Sequence, residues 1–184
     1  PAASYIQALD GVGREDLFYG YDADNTPTKQ ADRNYMISFL NIALHHDLKV
    51  LVTDYCSSFA YVDDSYAQSH SRGYISFAAD RRELDHIPSY PPDPYLVNPS
   101  AIGQLAQAKN FLYLLNSDRY ATKEMFLQAI QNTDYDCLII DLFDKYNHSL
   151  TEEEIGSLKI KKNGGTRLVI AYLSIGEAED YRYY

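Results

Sequence analysis

The sequence predicts an α/β fold built on a parallel sheet, and two observations carry that prediction. Short apolar runs recur along the chain without polar alternation, as in KVLVTDY and DCLIIDLF. Such runs suit strands buried on both faces, the usual condition of a parallel sheet. Stretches with apolar residues three and four apart lie between them, which gives the strand, helix, strand rhythm of an α/β chain. One segment breaks this rhythm, 87–100, which holds five of the seven prolines.

Taken in order, a weak strand signal lies at 9–18. Tyr35, Met36, Phe39, Leu40, Ala43 and Leu44 then repeat at helical spacing, and 28–47 is predicted as an amphipathic helix. KVLVTDY at 49–55 and GYISFAA at 73–79 are the next strands. IPSYPPDPYLVNPS at 87–100 excludes a helix and a central strand, so it is a linker or a long surface crossing. NFLYLLN at 110–116 is a strand, and Thr122 caps a helix carrying Met125, Phe126, Ala129 and Ile130. DCLIIDLF at 136–143 is a strand whose Cys137 reads as a small core residue. In LTEEEIGSLKIKKNGG, Thr151 and Glu154 form a capping box, and Leu150 can staple onto Ile155. Lys159, Lys161 and Lys162 suit the negative end of that helix, and Gly164 or Gly165 suits its stop. The last strand is expected at 167–175.

Composition narrows the function. The 184 residues are 46% hydrophobic, enough for one sizeable core. No apolar run approaches the roughly 20 residues of a membrane helix. Pro1, Ala2 and Ala3 lack the basic and apolar regions of a signal peptide. The net charge of -10 argues against nucleic acid, whose phosphates need a basic face, and suits a cationic or neutral partner or simple solubility. Eighteen tyrosines and no tryptophan supply flat apolar faces with hydroxyls, a combination that fits sugar rings as well as plain cores. Two cysteines give neither a disulfide framework nor a zinc spacing.

Ligands of parallel α/β folds bind at the carboxyl ends of the strands. Glu15, Asp54, Asp141 and Glu177 each stand at or just past such an end, and Tyr55 and Tyr172 accompany two of them. Crowded acids repel, which raises at least one pKa, and two carboxylates with split pKa values suit glycoside hydrolysis. Acids at strand ends also cap following helices, so each alone has a structural reading. Other motifs fail. Ser174 lacks the preceding glycine of a nucleophile elbow. There is no HExxH, and His45 and His46 sit in a helical pattern. Asp22, Asp24 and Asn25 begin like a calcium loop, but Pro27 and Arg33 occupy its sixth and twelfth positions. Lys162 to Gly165 lacks the phosphate-loop pattern.

RLVIAYLSIGEAEDYRYY, YDCLIIDLF, GVGREDLFYG, VLVTDYC, GYISFAA and RRELDHIP together span nearly the whole chain. This set closely resembles glycoside hydrolase family 114, the endo-α-1,4-polygalactosaminidase-like proteins. The resemblance implies a (β/α)8 barrel, many of whose members are secreted or surface-attached. It implies cleavage of α-1,4-linked galactosamine polymers, an amino-sugar polysaccharide as partner, and no metal or organic cofactor. The blocks are out of family order. Residues 1–86 resemble the C-terminal half of the barrel and 101–184 its N-terminal half, with the proline-rich 87–100 as the join. The barrel is therefore expected to be permuted or incomplete, with about six strands visible, and to need a partner copy or a further segment for completion. The family's FDGVYLD-like motif, which bears one catalytic aspartate, is absent. Glu15 matches the other catalytic acid and is the expected general acid/base. Asp54, Tyr55, Tyr113, Asp141, Tyr172 and Glu177 are the expected sugar-binding residues. A non-catalytic sugar-binding barrel and an acidic protein-interaction domain are the alternatives.

Overall fold

The computed structural model describes residues 2–174. A short helix α1 (Ala2–Ile6) leads into β1 (Gly11–Glu15), α2 (Gln30–His45), β2 (Lys49–Tyr55), α3 (Phe59–His70) and β3 (Ile75–Ala79). After the proline-rich crossing and a 3-10 turn at Leu105–Gln107 come β4 (Phe111–Leu114), α4 (Lys123–Gln131), β5 (Cys137–Ile140), α5 (Glu152–Leu158) and β6 (Leu168–Ala171). Each predicted strand forms, β2 over its full predicted length and the others shortened. Each predicted helix forms too, and the caps act as read. Thr151 and Glu154 make the capping box of α5, and the Thr122 side chain accepts from the Met125 N–H. The run 59–70 gave no helix signal because two of its four buried residues are the small polar Ser65 and Ser69, beside Val62 and Tyr66.

The permuted or incomplete (β/α)8-type barrel expected from the family resemblance does not form. The strands make two separate three-stranded parallel sheets, ordered β1-β2-β3 and β4-β5-β6. β3 and β4 pack side by side, with Phe77 and Phe111 rings 5.9 Å apart, but no strand ladder joins them. The hydrogen bonds at the end of β4 go elsewhere: Leu115 and Asn116 N–H groups both donate to the Leu84 carbonyl, in the loop after β3. These bonds tie the loop after β3 to the residues just past β4. Among the described residues β1 and β6 each pair on one side only, so no closed barrel exists.

Residue parity along β2 divides the core. Val50, Val52 and Cys56 join Met36 and Leu40 of α2 and Val62 and Tyr66 of α3 in one cluster. Leu51 and Tyr55 face the other way, into a second cluster with Ile75 and Phe77 of β3 and the strands of the second sheet, Cys137 among them. Gly11 permits the close approach of β1 to its neighbours, since a Cβ there would lie 2.7 Å from the Lys49 carbonyl and 2.9 Å from Leu105. On α2 only half of the predicted apolar stripe is buried. Met36, Leu40 and Ala43 face inward, while Tyr35 and Phe39 are exposed and pack edge to face on each other.

The 87–100 segment is a packed crossing. Tyr90 stacks on Phe59 at 4.0 Å and Tyr95 on Tyr66 at 4.7 Å. Lys161, expected as a cation at the negative end of α5, is fully buried. Its ammonium donates to Asp136 Oδ1 at 3.0 Å and to the carbonyls of Asn98 and Ser100. Both partners are shut away from water, so the charge is held by pairing and hydrogen bonds together. No described helix is long and apolar enough to cross a membrane.

Candidate functional site

The carboxyl ends of both sheets lie on one side of the molecule, because the loop leaving β3 is hydrogen-bonded to the end of β4 through Leu84. Parity then decides which side chains meet there. Glu15 pairs in register with Thr53, two residues before Tyr55, so Glu15 and Tyr55 share the face that looks toward the second sheet. In the second sheet Tyr113 is in register with Ile139, and Ile139 with Ile170. Tyr172 lies two beyond Ile170 and extends the ladder through its N–H to the Ile140 carbonyl at 2.8 Å.

Four of the expected residues come together on this rim. The Tyr55 hydroxyl donates to Glu15 Oε2 at 3.0 Å. Tyr113 and Tyr172 lie with ring centroids 6.5 Å apart and planes inclined by 49°. Burial pushes the Tyr113 phenol up to about 12, and the charge of Glu15 and the Tyr172 ring push the same way. Tyr55 is raised further, by its burial first and then by the Glu15 charge and hydrogen bond. Both phenols therefore stay protonated at neutral pH, and Tyr55 acts as a hydrogen-bond donor toward the exposed Glu15 carboxylate.

Asp54 is turned away from this rim. Asp54 shares its side of β2 with Val50 and Val52 and points into the helix layer. It is fully buried, with Oδ1 accepting from the Phe18 N–H at 2.9 Å and the Tyr19 N–H at 3.3 Å, and Oδ2 from Ser65 Oγ at 2.6 Å. Burial raises its carboxyl to about 6 against the downward pull of those donors. Asp141 accepts from the Phe143 N–H at 3.0 Å. It lines a separate, mainly polar cavity of about 300 Å³ with Asn116, Ser117, Asp118, Asp144 and Asn147. Glu177 lies outside the described residues. Among the described residues no cluster of His, Cys, Asp or Glu could hold a metal ion.

Two groups at this rim escaped sequence reasoning. Arg82 lies over the Tyr55 ring, its guanidinium carbon 4.0 Å from the centroid. It is fixed there by Asp16, Asp24 and the Gly20 carbonyl. His86 bridges two carboxylates, Nδ1 to Asp85 at 2.8 Å and Nε2 to Asp80 at 3.0 Å, and so closes the loop that carries Arg82. Both residues belong to RRELDHIP, an irregular stretch with no periodicity from which to infer direction. Because Arg82 is matched by two aspartates, its charge does not neutralise Glu15.

No family model matches the chain, and no solved structure matches it. Among curated proteins the chain is similar to the uncharacterised protein MJ1477 of Methanocaldococcus jannaschii, with 40% identity over 67 residues. That stretch is 35% of this chain and 18% of the archaeal protein. The chain thus spans under a fifth of that relative's length, and the relative's name carries no activity.

Proposed function

We propose that the rim around Glu15 is a carbohydrate site of glycoside hydrolase type, acting on an α-1,4-linked polysaccharide that contains galactosamine. The observation that carries this reading is the cluster of Glu15 with Tyr55, Tyr113 and Tyr172 at the strand ends. A carboxylate with no cation paired to it among the described residues attracts a protonated amino sugar, and the faces of the exposed Tyr172 and the half-buried Tyr113 suit the apolar side of a sugar ring. In this reading Glu15 gives a proton to the glycosidic oxygen as the bond breaks, and Tyr55 holds the carboxyl in place. The family resemblance supplies the glycan and the linkage. Such a ligand belongs outside the cell or at its surface.

A second reading, sugar binding without cleavage, is favoured by one specific observation. Hydrolysis of this kind normally uses two carboxylates, and among the described residues Asp54 is fully buried in the helix layer while Asp141 lines a cavity of its own. One experiment separates the two. Reducing ends released from α-1,4-polygalactosamine are measured for the parent and for Glu15→Gln, alongside binding of the same polymer by calorimetry. Cleavage by the parent, reduced at least a hundredfold in the variant, supports the hydrolase reading. Binding without cleavage supports the second reading. Neither binding nor cleavage overturns both.

A further inference from the structure

Tyr55 is an aromatic residue at a proposed sugar site, yet it is only 2% exposed. Its open face is taken by Arg82, whose flat guanidinium sits 4.0 Å from the ring centroid. A cation over a tyrosine face is attracted by the ring's electron density, and arginine adds planar stacking. The guanidinium is also held edge-on. Nη1 and Nη2 grip the two oxygens of Asp16 at 3.2 and 2.8 Å, Nε donates to Asp24 at 2.8 Å, and Nη2 also reaches the Gly20 carbonyl at 2.8 Å.

The backbone around this clasp is shaped to permit it. Asp16 directly follows Glu15 and has a left-handed φ of 61°, which turns the chain as β1 ends. Gly20 has a φ of 115°, and a Cβ there would collide with Asp16 and lie 3.2 Å from Arg82 Nη2. Leu84, in the loop carrying Arg82, has a φ of 49° although it is a bulky residue, and its carbonyl accepts from β4. His86, between Asp80 and Asp85, ties that loop at its two ends. Several unusual backbone conformations thus converge on holding one guanidinium against one ring.

We propose that Arg82 is a positioning residue that holds the Tyr55 hydroxyl on Glu15 and, by covering the ring, reserves sugar stacking for Tyr113 and Tyr172. The proposal rests on the reading of Glu15 as the carboxylate of the site. Tyr55 then serves as a fixed hydrogen-bond donor. A sugar ring entering the rim meets Tyr172, which is 36% exposed, and the inclined Tyr113 beside it.

The test has a readout that needs no sugar. The whole protein is labelled with carbon-13 at the tyrosine Cζ, and the Tyr55 signal is identified by its loss in Tyr55→Phe. The signal's displacement between parent and Glu15→Gln measures the Tyr55–Glu15 hydrogen bond. Arg82→Gln is expected to move the signal at least half of that distance. Arg82→Lys keeps a positive charge for Asp16 and Asp24 but loses the flat plane, and it is expected to move the signal likewise; it serves as well where Arg82→Gln does not fold. A Tyr55 signal unmoved in a folded Arg82 variant overturns the proposal. Affinity for a galactosamine oligomer, measured in parallel, is expected to fall about tenfold in the Arg82 variant, the effect of one misplaced hydrogen bond. An oligomer that fails to bind the parent counts against the carbohydrate reading, while the tyrosine signal still decides the role of Arg82.

Discussion

At the scale of single residues, Asp54 shows how a carboxylate at a strand end can serve the fold. Its oxygens gather the chain after β1, through Phe18 and Tyr19, and helix α3, through Ser65. Burial lifts its carboxyl from the ordinary 3.8 to about 6. Between those values the folded protein holds a proton that the unfolded chain has released. Stability contributed by the neutral carboxyl is therefore complete at the acid end and is lost as pH rises through that window. The loss is about 3 kcal/mol for a shift of this size. Urea midpoints of the parent are expected to fall between pH 4 and pH 6 by more than those of Asp54→Asn, which has no such proton to lose. Equal slopes in the two proteins would remove this role. The distinction between Asp54 and Tyr55 was present in the sequence. Asp54 keeps step with Val50 and Val52, whereas Tyr55 keeps step with Leu51, so alternation alone sends one to the helices and the other to the rim.

At the scale of elements, the apolar runs and the cap residues were enough to find every strand and the helices α2, α4 and α5. Those signals are local, set by burial and by orphan backbone groups within a few residues. α3 was illegible because its buried face includes Ser65 and Ser69, which bury well only against a partner the sequence does not display. Lys161 was legible as a cation near a helix end, but not as a buried one. Its partner Asp136 lies 25 residues back, and two of its acceptors belong to the proline-rich crossing. This lysine joins the segment around residues 98–100 to the start of β5. Lys161→Met is expected to cost about 3–5 kcal/mol, because Asp136 is left charged and buried. Chemical denaturation measures it, and a loss under about 1 kcal/mol would show that the ion pair is not what secures the crossing.

At the scale of the whole molecule, the α/β class and the parallel direction of the strands followed from the sequence, and barrel closure did not. Closure depends on which edges find partners, and that is settled by groups far apart in sequence. Here the Leu84 carbonyl takes the N–H groups at the end of β4, and the two sheets meet through side chains such as Phe77 and Phe111. The candidate site was legible in the same measure. Glu15, Tyr55, Tyr113 and Tyr172 met as strand direction and parity require. The Arg82 clasp depends on loop geometry that carries no period.

The two cysteines fall on opposite sides of the division within the core. Cys56 belongs to the cluster under α2 and α3, and Cys137 to the cluster that spans both sheets. Each is free and buried, and burial pushes both thiols up, that of Cys137 to about 12. Neither can react until its surroundings open. The protein thus carries a natural clock in each half of its interior. With Cys137→Ala and Cys56→Ala leaving one thiol at a time, the rate of labelling by a disulfide reagent times the opening of each half. β2 contributes to both clusters, so the two clocks are expected to run together. A thiol labelled tenfold faster than the other would mean that one sheet breathes while its neighbour stays shut.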